Sequence, residues 1–318
     1  METQKQSNIP LPVAIMVAGV MISTAIFING RVDNSVRTSV SADTESVLEF
    51  SAEEETVLPS VGVELPVVWG DLGQKLVSVG AIDRKKFDDL YRERGNFGKG
   101  FDELLNGKAE SRLKINRENA GYLLNLLWAL GLSSKNPVLD EGDMRNPRYG
   151  GAERFASTAG WTLALGNPMD HYSAHKFFSL TAEQQALVVK VAKNIYRPCC
   201  NNSTYFPDCN HGMAMLGLLQ LMASQGVGER EMYKTALAVN SYWFPETYIT
   251  IASYMKAKGI EWKDVDPKDV LGSDYSSASG YARVSAEAPI RGRQIGGGSG
   301  CSVGEGAPAS NGGVGCSI

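Results

Sequence analysis

The sequence predicts a mainly α protein: an N-terminal single transmembrane helix, then a soluble α-helical bundle, then a disordered Gly/Ser-rich tail. Three observations predict it. Apolar residues recur at helical spacing between capping and breaking residues from Glu64 to about Pro289. Eighteen residues without a charge run from Leu11 to Ile28. The last stretch, Gly296 to Ile318, is dominated by Gly and Ser.

Residues 1–8 form a short N-terminal segment with one lysine, Lys5. Residues 9–30 are long enough as a helix to cross a hydrocarbon core of about 30 Å. Pro10 and Pro12 sit at the start of that run, where a missing N–H costs little. No small-x-small cleavage pattern follows it, so the expectation is an uncleaved, single-pass signal anchor. Residues 31–62 carry Asp43, Glu45, Glu49 and Glu53-Glu54-Glu55 with few large apolar groups, the composition of an acidic flexible stalk. These acids follow Arg37 with no base before Gly62, which places the C-terminal domain outside the cytoplasm.

Residues 63–290 form the predicted extracytoplasmic α-helical domain. Asp83 can cap a helix whose Phe87, Leu90 and Tyr91 share a face. Asn116 can cap another, with an apolar stripe through Leu123, Leu124, Leu127, Trp128 and Leu130 to Gly131. Asn136 to Gly166 is a long irregular segment expected to wrap the bundle. Thr181 and Gln184 make a capping box before Leu187, Val188, Val191, Ala192 and Ile195. Asp208 or Asn210 can open a helix that stops at Gly226 and Gly228, Glu229 begins the next, and Pro245 suits the first position of one that Gly259 closes. No stretch alternates polar and apolar residues convincingly, so no strand is predicted. Residues 291–318 are the predicted flexible tail, with Cys301 and Cys316 spaced to pair with each other.

A chain with 43% apolar residues fills a sizeable core, and a net charge of -4 gives no footprint for nucleic acid. No Walker A, dinucleotide-binding glycine pattern or EF-hand loop is present, and Asp274-Tyr275-Ser276-Ser277 makes no case for a serine nucleophile.

The chemistry concentrates between His171 and His211, which enclose all three histidines and three of the five cysteines. His171 and His175 are four apart, the spacing at which two imidazoles share a helix face. They lack the glutamate of a zinc-protease helix. Cys199 and Cys200 are adjacent, and Cys209 and His211 lie across a Pro-, Asn- and Ser-rich loop that can fold back on itself. At the start of the next helix, unpaired N–H groups favour a Cys209 thiolate. Gly212 permits close approach there. Met213 and Met215 fall on a core-facing stripe, and Tyr242-Trp243-Phe244 reads as core at a helix junction able to wall one side of the site.

Sulfur and imidazole without a carboxylate-rich shell suit a transition metal, zinc by preference, with copper or iron fitting the same donors. Cys199, Cys200, Cys209 and His211 are the first-choice ligands, with His171 and His175 supporting them or replacing one. Two other readings stand beside this one. In the first, a thiol–disulfide oxidoreductase uses Cys209 to attack and Cys200 to resolve. In the second, a noncatalytic cell-surface or scaffold protein is stapled by a Cys200–Cys209 disulfide.

Overall fold

A computed structural model describes residues 52–94 and 99–289. The predicted span at 9–30, the stalk up to residue 51 and the tail with Cys301 and Cys316 lie outside them. Among the described residues no helix is long and apolar enough to cross a membrane.

The domain is mainly helical. In chain order it contains α1 (Ala52–Val57), β1 (Val63–Gly70), α2 (Leu72–Ser78), α3 (Arg84–Glu93), α4 (Lys99–Asn106), β2 (Ala109–Ile115) and α5 (Ala120–Ser133). After a run of single-turn helices come α6 (Ala182–Ala192), α7 (Asn210–Ser224), α8 (Glu229–Trp243), α9 (Pro245–Ala257) and α10 (Ala278–Glu287).

Two expectations are corrected. First, β1 and β2 form an antiparallel two-stranded sheet where no strand was predicted. Leu65, Val67 and Trp69 point inward from β1 at period two. On the outer edge of β1, the Gln225 side chain takes the place of a neighbouring strand. Its Oε1 accepts from the Val68 N–H at 2.9 Å, and its Nε2 donates to the Val68 carbonyl at 2.7 Å. Second, the end of the predicted stalk belongs to the folded domain. Val57 and Leu58 are buried, Arg117 and Tyr242 donate to the carbonyls of Leu58 and Pro59, and Glu53 pairs with Lys256.

The helix caps follow the sequence closely. Asp83 accepts from the N–H groups of Lys85 and Lys86, and Thr181 and Gln184 close the capping box. Pro245 is the first residue of α9, and Gly226 and Gly259 take left-handed turns after α7 and α9. Before α5, Asn116 folds the entry turn while Asn119 is the capping residue. Asn136 to Gly166 is a chain of single-turn helices, as its Pro, Gly and Asn content requires.

Helix α7 is the centre of the molecule, buried on every face from Asn210 to Ala223. A helix apolar all round has no solvent side and must be enclosed. It packs most extensively on α5, and glycines make the crossing. A Cβ on Gly131 would lie 1.9 Å from the Met213 carbonyl oxygen, and one on Gly217 would lie 2.4 Å from that of Leu127. The two backbones therefore touch directly. This crossing fixes where the N-terminus of α7 sits, and the cysteine loop ends there.

Candidate metal centre

The loop between α6 and α7 folds back on itself. Tyr196 and Ser203 form an antiparallel bridge, and the Thr204 N–H and hydroxyl both donate to the Ile195 carbonyl. The start of α10 clasps its outer side, with the Ala278 N–H donating to the Cys200 carbonyl and the Ser279 N–H to Asn201 Oδ1, both at 2.9 Å. This folding brings the two ends of the loop together, as the Pro- and Asn-rich sequence between them predicts.

Three sulfurs meet there. Sγ of Cys199 lies 3.8 Å from that of Cys200 and 3.4 Å from that of Cys209, and Cys200 and Cys209 are 3.9 Å apart. All three are free thiols, so the predicted Cys200–Cys209 staple is not formed. A tetrahedral ion with metal–sulfur bonds of about 2.3 Å requires sulfur–sulfur edges of about 3.8 Å. The observed triangle has that size.

His211, in the first turn of α7, adds a nitrogen: ligand atoms of Cys199, Cys209 and His211 lie within 4.8 Å of one another. Its ring is 4.3 Å from that of Phe244 and 5.8 Å from that of Trp243, so the aromatic junction is both core and wall of the site. His211 is 3% exposed, and its Nδ1 is buried without a hydrogen-bond partner among the described residues. Burying an imidazole nitrogen unpaired is costly, and a metal bond removes that cost. The cluster of Cys199, Cys200, Cys209 and His211 could therefore bind a metal ion.

Cys209 is the hub. It is fully buried, and its sulfur caps α7 by accepting from the Gly212 N–H at 3.4 Å. The N-cap is thus the cysteine itself rather than Asp208 or Asn210. Arg197, also 0% exposed, aims its Nε at the same sulfur at 3.4 Å. Burial opposes ionisation, but hydrogen bonds from the Cys199 and Cys200 thiols, the Arg197 charge and His211 hold the Cys209 pKa well below that of a free thiol. Hydrogen bonds to Cys200 and Cys209, with burial, drive Cys199 well up. Its hydrogen bond from Cys199 pulls Cys200 down, but its bond to Cys209 and burial win and push it up to about 12. Without metal, the triangle favours a thiolate at Cys209 over one at either neighbour.

Sequence reasoning missed Arg197. Its guanidinium donates to the carbonyl of Asn202 at 2.8 Å, to that of Phe206 at 3.3 Å and to Asp208 Oδ1 at 2.6 Å, while Asn202 holds the other carboxylate oxygen. Burial raises the Asp208 pKa, and Arg197 opposes that rise. A Cβ on Gly212 would stand 2.7 Å from the guanidinium carbon, so only glycine lets Arg197 lie across the start of α7. The signal is the glycine next to the Cys-x-His pair, which marks a close approach without naming the partner.

Cys200, Asp208 and Cys209 also gather within 4.8 Å. Arg197 already supplies the positive charge there, bonded to two of the three, which argues for one ion in the cluster and not two.

His171 and His175 do not join the cysteines, and no converging set of three among the described residues includes either. They meet each other, but not on a helix. The turn Pro168–His171 ends at His171, Ser173 adopts a left-handed φ of 52°, and His175 bridges to Ser134.

No protein-family model, no curated protein and no solved structure matches this chain.

Proposed function

We propose that this chain is a membrane-anchored protein whose extracytoplasmic helical domain holds one closed, tetrahedral zinc site formed by Cys199, Cys200, Cys209 and His211. The observation that carries it is the sulfur triangle of tetrahedral edge length beside a buried, unpartnered His211 Nδ1. Zinc is preferred because it takes three thiolates and an imidazole without demanding more of the geometry; copper or iron are the other ions these donors accept. Every ligand but Cys199 is buried, which suits a structural site with no open position. The uncharged run from Leu11 to Ile28 supports the anchor.

Elemental analysis of the full chain, purified without added metal, is expected to find one zinc per chain. Cys209→Ser and His211→Ala are expected to lose it. Metal-free wild type, or zinc retained in both variants, sinks the reading. Alkaline extraction is expected to leave the full chain in the membrane and to release a chain beginning at residue 52.

One observation favours a second reading. A cysteine sulfur at a helix N-terminus beside a buried arginine, with two thiols within 4 Å, is also how a thiol–disulfide oxidoreductase prepares its nucleophile. Exposure separates the two readings. Cys199 is half-buried while Cys209 is fully buried, so the metal reading expects a small alkylating agent to label Cys199 first after metal removal. First labelling of Cys209 on a metal-free chain supports the oxidoreductase.

A further inference from the structure

The two histidines left outside the cysteine cluster have a geometry of their own. His171 Nε2 lies 2.9 Å from the Leu165 carbonyl oxygen, and His171 Nδ1 lies 3.1 Å from His175 Nε2. A carbonyl can only accept, so Nε2 of His171 carries the proton and Nδ1 presents a lone pair. A histidine ligand is usually oriented in this way, its second nitrogen donating to a backbone carbonyl. Both partners are fixed by backbone. His171 closes a turn held by the Asn167–Asp170 capping box. His175 is pinned to the end of α5, its N–H donating to the Ser133 carbonyl and its carbonyl accepting from Lys135.

We propose that His171 and His175 form a second, open site for a divalent transition ion of the nickel(II), copper(II) or zinc(II) kind, separate from the cysteine centre. An ion about 2.0–2.1 Å from each nitrogen would see nitrogens 3.1 Å apart at an angle of about 100°. That lies between the octahedral and the tetrahedral angle, so the separation suits one ion once the two rings turn about their side-chain bonds to aim at it. Among the described residues no third His, Cys, Asp or Glu side chain converges on the pair, and His175 is half-buried, so water completes the shell. Binding needs no net proton loss. The proton on His175 Nε2, which points at His171 in the empty pair, moves to Nδ1 as Nε2 takes the metal. Two neutral imidazoles and water suit borderline ions rather than calcium or magnesium.

The test uses the full chain, nickel(II) as probe, and dialysis followed by elemental analysis. Wild type is expected to take up one nickel per chain without losing zinc. His175→Gln and His171→Gln are each expected to weaken nickel binding about tenfold or more, since a chelate becomes a single ligand, and to keep their zinc, which shows that the fold is intact. In Cys209→Ser nickel uptake is expected to be unchanged, so failure of the cysteine centre and failure of the histidine site are distinguishable. No nickel bound by wild type, nickel that displaces zinc, or nickel binding that survives both histidine substitutions overturns the proposal.

Discussion

Replacing Arg197 with methionine is expected to destabilise the folded chain by about 3–5 kcal/mol, the cost of leaving a buried charge without its partner. The substitution keeps the length of the side chain and removes every polar contact it makes. Asp208 would lose its ion pair with Arg197 and keep its hydrogen bond from Asn202, and the carbonyls of Asn202 and Phe206 would lose the guanidinium that donates to them.

Urea unfolding of the wild type and of Arg197→Met measures the loss. Arg197→Met combined with Asp208→Asn is expected to recover part of it, because the uncompensated carboxylate is then gone. A single variant as stable as wild type would mean that the loop holds its shape without the guanidinium.

The second large effect is expected at the crossing of α5 and α7. Gly131→Ala and Gly217→Ala each put a methyl group into a neighbouring backbone carbonyl, at 1.9 Å from Met213 and 2.4 Å from Leu127. Backbone cannot step aside as a side chain can, so the helices must separate along their contact. A loss on the order of 3 kcal/mol is expected, at the upper end of the overpacking range. Gly121→Ala is the control. It lies on the exposed side of α5 with nothing within 4 Å of the added methyl, and is expected to stabilise by up to about 1 kcal/mol through helix propensity. Thermal unfolding of the three variants checks both signs.

The helices were legible because their ends are written in single residues. Asp83, Thr181 with Gln184, Pro245 and Gly259 each do locally what their chemistry predicts. The sheet was hidden for a physical reason. In β1 the outward positions between Leu65, Val67 and Trp69 are Pro66 and Val68, apolar themselves, so the alternation does not show. In β2 a register irregularity breaks the period between Ala109 and Leu113.

At the candidate site, residue type carried the reading of Cys199, Cys200, Cys209 and His211, because sulfur and imidazole in one short loop have few other uses. Arg197 was legible only indirectly: Gly212 marks a close approach at the start of α7, but nothing in the sequence marks which arginine makes it. The spacing of His171 and His175 did foretell that the rings meet, but for the wrong reason. A helix would have paired them on one face, whereas the left-handed Ser173 turns the chain and brings the rings together across the bend.

Gln225 has a consequence of a different kind. A strand with unsatisfied peptide groups at its border invites another polypeptide to extend the sheet, and here one amide side chain occupies both groups of Val68. Pro66, one step along, has no N–H to offer. Together they deny a foreign strand its footing, so the hairpin is insulated against joining with other copies at high local density.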